Sequence, residues 1–219
     1  MLFSDEEKQI FESDYNLIAG VDEVGRGCLA GPVTAGIVAI SKDDFDLSLL
    51  SEFYSSLKLD SIRDSKHLSQ IQREKIFEAI KKEPRIKWQV SFVSPQIIDK
   101  INISQATFLA WQKCFEKLGD TLESQPDFLF IDGNFSLPNL NIKQESIIKG
   151  DQKIFLISLA SIVAKVSRDK LMEKLDQKYP NYGFCQHKGY GTKLHLEKLK
   201  QNGCCHIHRK TFKPVSIAK

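Results

Sequence analysis

Four acidic side chains in this chain stand where apolar runs end: Asp22 and Glu23 follow LIAGV, Asp132 follows FLFI, and Asp151 follows SIIKG. Strand ends are where open α/β sheets gather their ligand sites. One carboxylate at such a place is easily solvated, but several brought together repel, and the usual remedy is a divalent cation. All-oxygen donors favour Mg²⁺ or Mn²⁺ over zinc. Taken singly, two of the four have plainer readings, Asp151 as the N-cap of the helix that follows and Asp132-Gly133-Asn134 as a turn. The adjacent pair is harder to set aside. Neighbouring side chains on a strand point to opposite faces, so Asp22 and Glu23 serve one site only if the backbone bends there, and Gly25 and Gly27 permit the bend.

The elements that must carry these residues follow from periodicity. Residues 5–14 read as a short helix, NLIAGVD as a strand, and TAGIVAI as its hairpin partner across Gly31 and Pro32. Ser69 is the expected N-cap of a helix carrying Leu68, Ile71, Ile76, Phe77 and Ile80. IKWQVSFV alternates like a half-buried strand, SQATFLAWQKCFEKLG reads as a helix closed by Gly119, FLFID as a strand and KQESIIK as another. FLISLASIVAKV is apolar around nearly its whole circumference and predicts a central buried helix. Its polar exceptions, Ser158, Ser161, Lys165 and Asp169, form one stripe that lines a site, satisfies backbone groups, or holds a Lys165–Asp169 ion pair. The pattern predicts an α/β fold, a mixed sheet with helices packed on it.

Composition narrows the class. With 219 residues, 42% hydrophobic and 27% charged, the chain is of ordinary globular type. No apolar run approaches the roughly 18 uncharged residues that span a bilayer, and the acidic start MLFSDEEKQIFESDY is unlike a secretory signal, so the expectation is a cytoplasmic protein. Five scattered cysteines imply reduced thiols, and Cys204, Cys205, His206 and His208 lack the second ligand pair of a zinc-finger spacing. The net charge of +3 hides an asymmetry: residues 149–219 hold 15 Lys or Arg against 5 Asp or Glu, net +10, whereas residues 1–148 carry net −7. A basic C-terminal third suggests a polyanion partner. YPNYGFCQHKGYGTKLH, within that third, interleaves aromatics with cations as a nucleic-acid surface does.

Across nearly the whole chain the motifs resemble those of bacterial ribonuclease HII. They are AGVDEVGRGCLAGPV at 19–33, DSKHLS at 64–69, INISQATFLAW at 101–111, FIDGN at 130–134, KGDQKIFLISLASIVAKVSRDKLM at 149–172, YPNYGFCQHKGYGTKLH at 179–195 and HRKTFKPV at 208–215, in the family's order. The resemblance implies a ribonuclease H-like mixed β-sheet flanked by helices over residues 1–185, with a small helical segment at 186–219 completing the substrate groove. It implies cleavage of the RNA strand of RNA/DNA hybrids and nicking of duplex DNA on the 5′ side of an embedded ribonucleotide, leaving 3′-hydroxyl and 5′-phosphate ends. The metal-binding catalytic set would be Asp22, Glu23, Asp132 and Asp151, holding Mg²⁺ or Mn²⁺, with two ions about 4 Å apart during hydrolysis. Gly25, Arg26 and Gly27 would read the ribose 2′-hydroxyl, Tyr190 would stack on the next sugar, and Lys66, Arg168 and Lys188 would contact phosphates.

Departures from the family pattern are small. Leu159 stands where small residues are usual, an acidic helix precedes the first strand, and 51–63 is a variable connection. The sister enzyme ribonuclease HIII differs at the glycine-rich turn, so Gly25-Arg26-Gly27 favours the HII type and single-ribonucleotide cleavage over action on hybrid tracts alone. A module that binds hybrids without cutting them would explain the basic third but leave the carboxylates without a role. A monomer is expected, and SIAK at the C-terminus carries no convincing sliding-clamp peptide.

Overall fold

The computed structural model of the chain describes residues 4–45 and 68–217; Lys66 and the 51–63 connection lie outside them. Five strands, β1 (Leu17–Val24), β2 (Val33–Ser41), β3 (Lys87–Val93), β4 (Phe128–Asp132) and β5 (Lys143–Ile147), form one sheet in the order β3-β2-β1-β4-β5. β1 and β2 are the expected antiparallel hairpin and β3 continues it antiparallel, while β4 and β5 run parallel to β1. The mixed sheet arises because β4 returns through a helical crossover, which parallel pairing requires.

Each face is covered by one long helix. α5 (Phe155–Lys178) lies against one face with α2 (Gln70–Lys82), joining Ile18, Val38, Phe128 and Phe130 in a common core. α3 (Pro95–Leu122) covers the other face, on Ala19, Val21, Ile37 and Ile131. The strand glycines explain how close α5 comes: a Cβ on Gly20 would fall 2.6 Å from the backbone N of Ile157, and one on Gly36 would fall 2.4 Å from the carbonyl O of Ala160. Leu159 is fully buried in the same layer.

Local chemistry sets the helix ends. Ser69 caps α2 as expected, in a capping box with Gln72. The expected 104–119 helix is longer: α3 starts at Pro95, breaks at Asn102 (φ 67°), and runs to Leu122. Asn102 Oδ1 accepts from the backbone N of Ser104 (3.0 Å) and Gln105 (3.1 Å), so the asparagine restarts the helix. Gly119 does not close it. It makes room for Gln125, whose Nε2 would stand 2.0 Å from a Cβ there. The acidic helix α1 (Asp5–Glu12) also has a reason to exist. Glu7 is fully buried, and its Oε1 accepts the backbone N–H of Leu156 at 3.2 Å, placing a carboxylate at the otherwise uncapped start of α5. Among the described residues, no helix is long and apolar enough to cross a membrane.

Candidate active site

Pairing between the parallel strands β1 and β4 ends at Val21 opposite Ile131, so Asp22 and Asp132 emerge side by side just beyond it. They open a cavity of about 500 Å³ lined by Asp22, Glu23, Val24, Gly25, Arg26, Arg73, Asp132, Ser161, Lys165 and Tyr190. The adjacent carboxylates keep the alternation of a strand. Asp22 lies on the α5 side, where the Ser161 hydroxyl bonds it, and Glu23 follows Ala19 and Val21 on the α3 side. Both still line the cavity because they sit at its rim, and the chain turns only afterwards, at Gly25 (φ 90°).

Burial pushes the Asp22 carboxyl well above the ordinary carboxylate range, and the negative charges of Glu23 and Asp132 push it further; the Ser161 hydroxyl and the Glu23 N–H, 2.7 Å from Asp22 Oδ1, oppose them. Burial also raises Glu23, against the pull of Arg26, whose Nη1 donates to Glu23 Oε1 at 3.2 Å. Glu23 Oε2 is buried and completes no hydrogen bond of normal geometry. Arg26 offsets only part of this crowding of buried negative charge, and an all-oxygen set of this kind suits a hard divalent cation. Among the described residues, no three His, Cys, Asp or Glu side chains already enclose a ligand position, so the fit lies in donor type and charge.

Asp151 is not among the cavity-lining residues and is 1% exposed. The plainer expectation for it is reversed. Asp151 lies inside the short helix α4 (Gly150–Lys153), and it is Asp132 Oδ1 that accepts from the N-terminal N–H groups, Gly150 at 2.7 Å and Asp151 at 3.4 Å. Asp132 and Asp151 are thereby fixed next to each other.

Of the residues expected to contact substrate, Gly25, Arg26 and Tyr190 line the cavity, and Gly27 is exposed on the same turn. Tyr190 is 38% exposed, with Lys165 Nζ 5.8 Å from its ring centroid. The reading of Arg168 as a phosphate contact is corrected. It is fully buried, and its guanidinium donates to the carbonyls of Pro32 (3.0 Å), Lys188 (2.8 Å) and Ala30 (3.2 Å). A cation sealed among carbonyls holds backbone in place and does not meet phosphate. Lys188 Nζ is likewise engaged, by Glu173 Oε1 at 2.8 Å and the Cys185 carbonyl at 2.6 Å.

Sequence reasoning missed Arg73 and Arg209 and left Ser161 and Lys165 undecided. The polar stripe on α5 was the signal for the last two: both line the cavity, and Lys165 also pairs with Asp169 at 2.9 Å. Arg209 is fully buried and donates to the carbonyls of Gly31 (3.1 Å), Arg26 (2.8 Å) and Gly25 (2.6 Å). The segment around it straps the glycine-rich turn from outside: Leu29 N donates to Gly189 O (2.8 Å), Gly31 N to Ile207 O (2.9 Å) and Arg209 N to Leu29 O (2.9 Å).

Behind the strap lie three histidines. His195 Nε2 meets His208 Nε2 at 3.1 Å, His187 stacks on His195 at 4.2 Å, and His208 Nδ1 lies 3.1 Å from Cys205 Sγ. Burial drives both His195 and His208 down to about 4. A group whose folded value lies below its unfolded one binds more protons when unfolded. Its contribution is complete above the unfolded value, near 6.5, and is lost as pH falls toward 4. Thermal melts are expected to drop across that window by a total on the order of 3 kcal/mol, and His195→Gln, which keeps hydrogen-bonding capacity without titrating, should flatten the slope.

The "Ribonuclease HII" family model matches residues 19–215. A ribonuclease HII from Endomicrobium trichonymphae is 45% identical over 96% of this chain and 91% of its own length. Among solved structures, the ribonuclease HII of the Archaeoglobus fulgidus PCNA:RNase HII complex is similar with a TM-score of 0.69 and 26% identity, over 90% of this chain and 95% of that one. The ribonuclease H2 from Pyrococcus horikoshii OT3 is similar with a TM-score of 0.68 and 27% identity, over 92% and 96%.

Proposed function

This chain belongs to the ribonuclease HII family and is a ribonuclease H acting on RNA/DNA hybrids, and from that premise we propose that it also nicks duplex DNA 5′ of a single embedded ribonucleotide, with divalent-cation assistance. The observation that carries the reading is one cavity bordered by Asp22, Glu23 and Asp132, by the Gly25-Arg26 turn and by the exposed ring of Tyr190.

Asp22, Glu23, Asp132 and Asp151 are the residues that would hold Mg²⁺ or Mn²⁺. When bound, two such ions would activate water on one side of the phosphorus and stabilise the leaving 3′-oxygen on the other. The remaining work belongs to the chain itself. The backbone of Gly25–Gly27 bonds the 2′-hydroxyl, the one group that distinguishes RNA from DNA at a given nucleotide. Tyr190 packs on the following deoxyribose, and Lys165 and Arg73 set positive charge beside the phosphodiester. Residues 186–219 complete the groove as a strap on the 1–185 unit.

The test is cleavage of a labelled duplex containing one ribonucleotide, with Mg²⁺, Mn²⁺ and chelator compared. Nicking with either cation and none with chelator is expected. Cleavage of hybrid tracts without nicking of the single-ribonucleotide duplex would defeat the proposal and favour an HIII-like range.

Gly27 isolates the backbone-reading step. A Cβ there meets nothing within 4 Å in the chain itself, so Gly27→Ala should melt with the parent. Nicking at one ribonucleotide should nevertheless fall by about tenfold or more, because the added methyl keeps the backbone from the 2′-hydroxyl and one lost hydrogen bond is worth roughly 1 kcal/mol or more. An unchanged rate would mean that another part of the turn approaches the sugar.

A further inference from the structure

Among the buried polar groups that the mechanism above leaves without a role, an indole stands beside the acidic set. Trp111, on α3, is 2% exposed, and its Nε1 completes no hydrogen bond of normal geometry. A buried indole N–H normally finds an acceptor, and one left alone is costly enough to need an explanation. If the position asked only for bulk, phenylalanine would fill most of the space without leaving a donor behind.

The matching orphan is Glu23 Oε2. Alternation along β1 turns Glu23 toward the face that α3 covers, and Trp111 packs in the same layer as Ala19, Val21 and Ile131. The other oxygen of Glu23, Oε1, already accepts from Arg26 Nη1 at 3.2 Å. The carboxylate thus has a donor on one oxygen and an unpaired oxygen on the other, and the neighbouring Trp111 N–H favours its charged form.

We infer that Trp111 is a positioning residue for Glu23: its indole N–H is the donor for Oε2, so that the carboxylate is held between Arg26 and Trp111 at the cavity rim. One charge-assisted hydrogen bond between them satisfies both atoms. Partners that orient a metal-binding side chain in this way control how well it binds. Phe108 also packs on Trp111 (centroids 5.6 Å) and on the half-exposed Phe135 (6.1 Å), contacts that carry no hydrogen bond to the carboxylate.

The inference rests on the reading of Glu23 as a member of the acidic set, and the experiment separates the two. In ¹H–¹⁵N spectra of the full chain, Mg²⁺ is expected to move the Trp111 indole resonance, identified by its loss in Trp111→Phe, and this movement should vanish in Glu23→Gln. Calorimetric titration with Mn²⁺ should show weaker binding by Trp111→Phe, about tenfold. Phe108→Leu, which loosens the same packing and keeps the N–H, should bind Mn²⁺ as the parent does even if it melts earlier. A Trp111 resonance indifferent to Mg²⁺, a Trp111→Phe affinity equal to the parent's, or equal weakening in Phe108→Leu would overturn the positioning role. Full nicking activity and Mn²⁺ affinity in Glu23→Gln would instead overturn the reading of Glu23 itself.

Discussion

Asp132→Asn is expected to reduce nicking of a one-ribonucleotide duplex by on the order of 1,000-fold, roughly 4 kcal/mol of barrier, while leaving the fold intact. The two halves of that expectation come from different oxygen functions. Asp132 Oδ1 accepts from the N–H groups of Gly150 (2.7 Å) and Asp151 (3.4 Å), and an asparagine oxygen can accept the same bonds. What asparagine removes is a negative charge, and that charge is one of those raising Asp22. Relief of repulsion means that the variant should melt no lower than the parent without added metal, and its Asp22 carboxyl should lie closer to the ordinary range. The parent should gain thermal stability from added Mn²⁺ by linkage, and the variant should gain much less. A variant that is inactive but also unfolded would show that the cap at Gly150 needs the full charge; a variant as active as the parent would remove Asp132 from the chemistry.

How much of this was legible without coordinates depends on what kind of signal each feature leaves. Strands made of unbroken apolar runs, such as FLFI, and helices with a capping residue, such as Ser69, announce themselves locally, and so do carboxylates at strand ends. The stripe on α5 was visible for the same reason, but the letters left open whether it lined a site, satisfied backbone groups or held the Lys165–Asp169 pair. Cations are different. Arg168 and Lys188 entered as phosphate contacts only through the family resemblance, yet Arg168 is fully buried on three carbonyls. Nothing in the letters distinguishes a wet arginine from a dry one. Long-range caps are equally silent: Glu7 reaches the start of α5 at Leu156 across a separation of 149 residues, and the acidic helix that carries it stood out only as a departure from the family pattern. Gly119 misled for a related reason, because a glycine that stops a helix and one that admits a returning side chain look alike in sequence.

Arg209→Met should be the most destabilising of the single changes considered, and it should cost activity at a distance from the chemistry. The guanidinium is fully buried, its value lowered to about 10 chiefly by burial, and it holds the carbonyls of Gly25, Arg26 and Gly31 in one fork. Gly25 cannot adjust by gaining a side chain or by moving inward, since even a Cβ there would lie 2.4 Å from Arg168 Nε. The turn that carries the proposed 2′-hydroxyl contact is therefore clamped between two arginines, Arg168 from α5 and Arg209 from the C-terminal strap. Methionine fills the volume but leaves the carbonyls of Arg26 and Gly31 without this donor, at about 1–3 kcal/mol for each group that stays dry. A loss of about 3–5 kcal/mol is expected from denaturant melts. A displacement of the turn by about 1 Å should lower single-ribonucleotide nicking on the order of 100-fold even where the variant is fully folded. Arg209→Lys separates the contributions: it restores the charge and one hydrogen bond but not the fork, so it should recover part of the stability and little of the discrimination between ribonucleotide and deoxyribonucleotide. If Lys restores both in full, charge alone holds the turn and the planar geometry of the guanidinium is incidental.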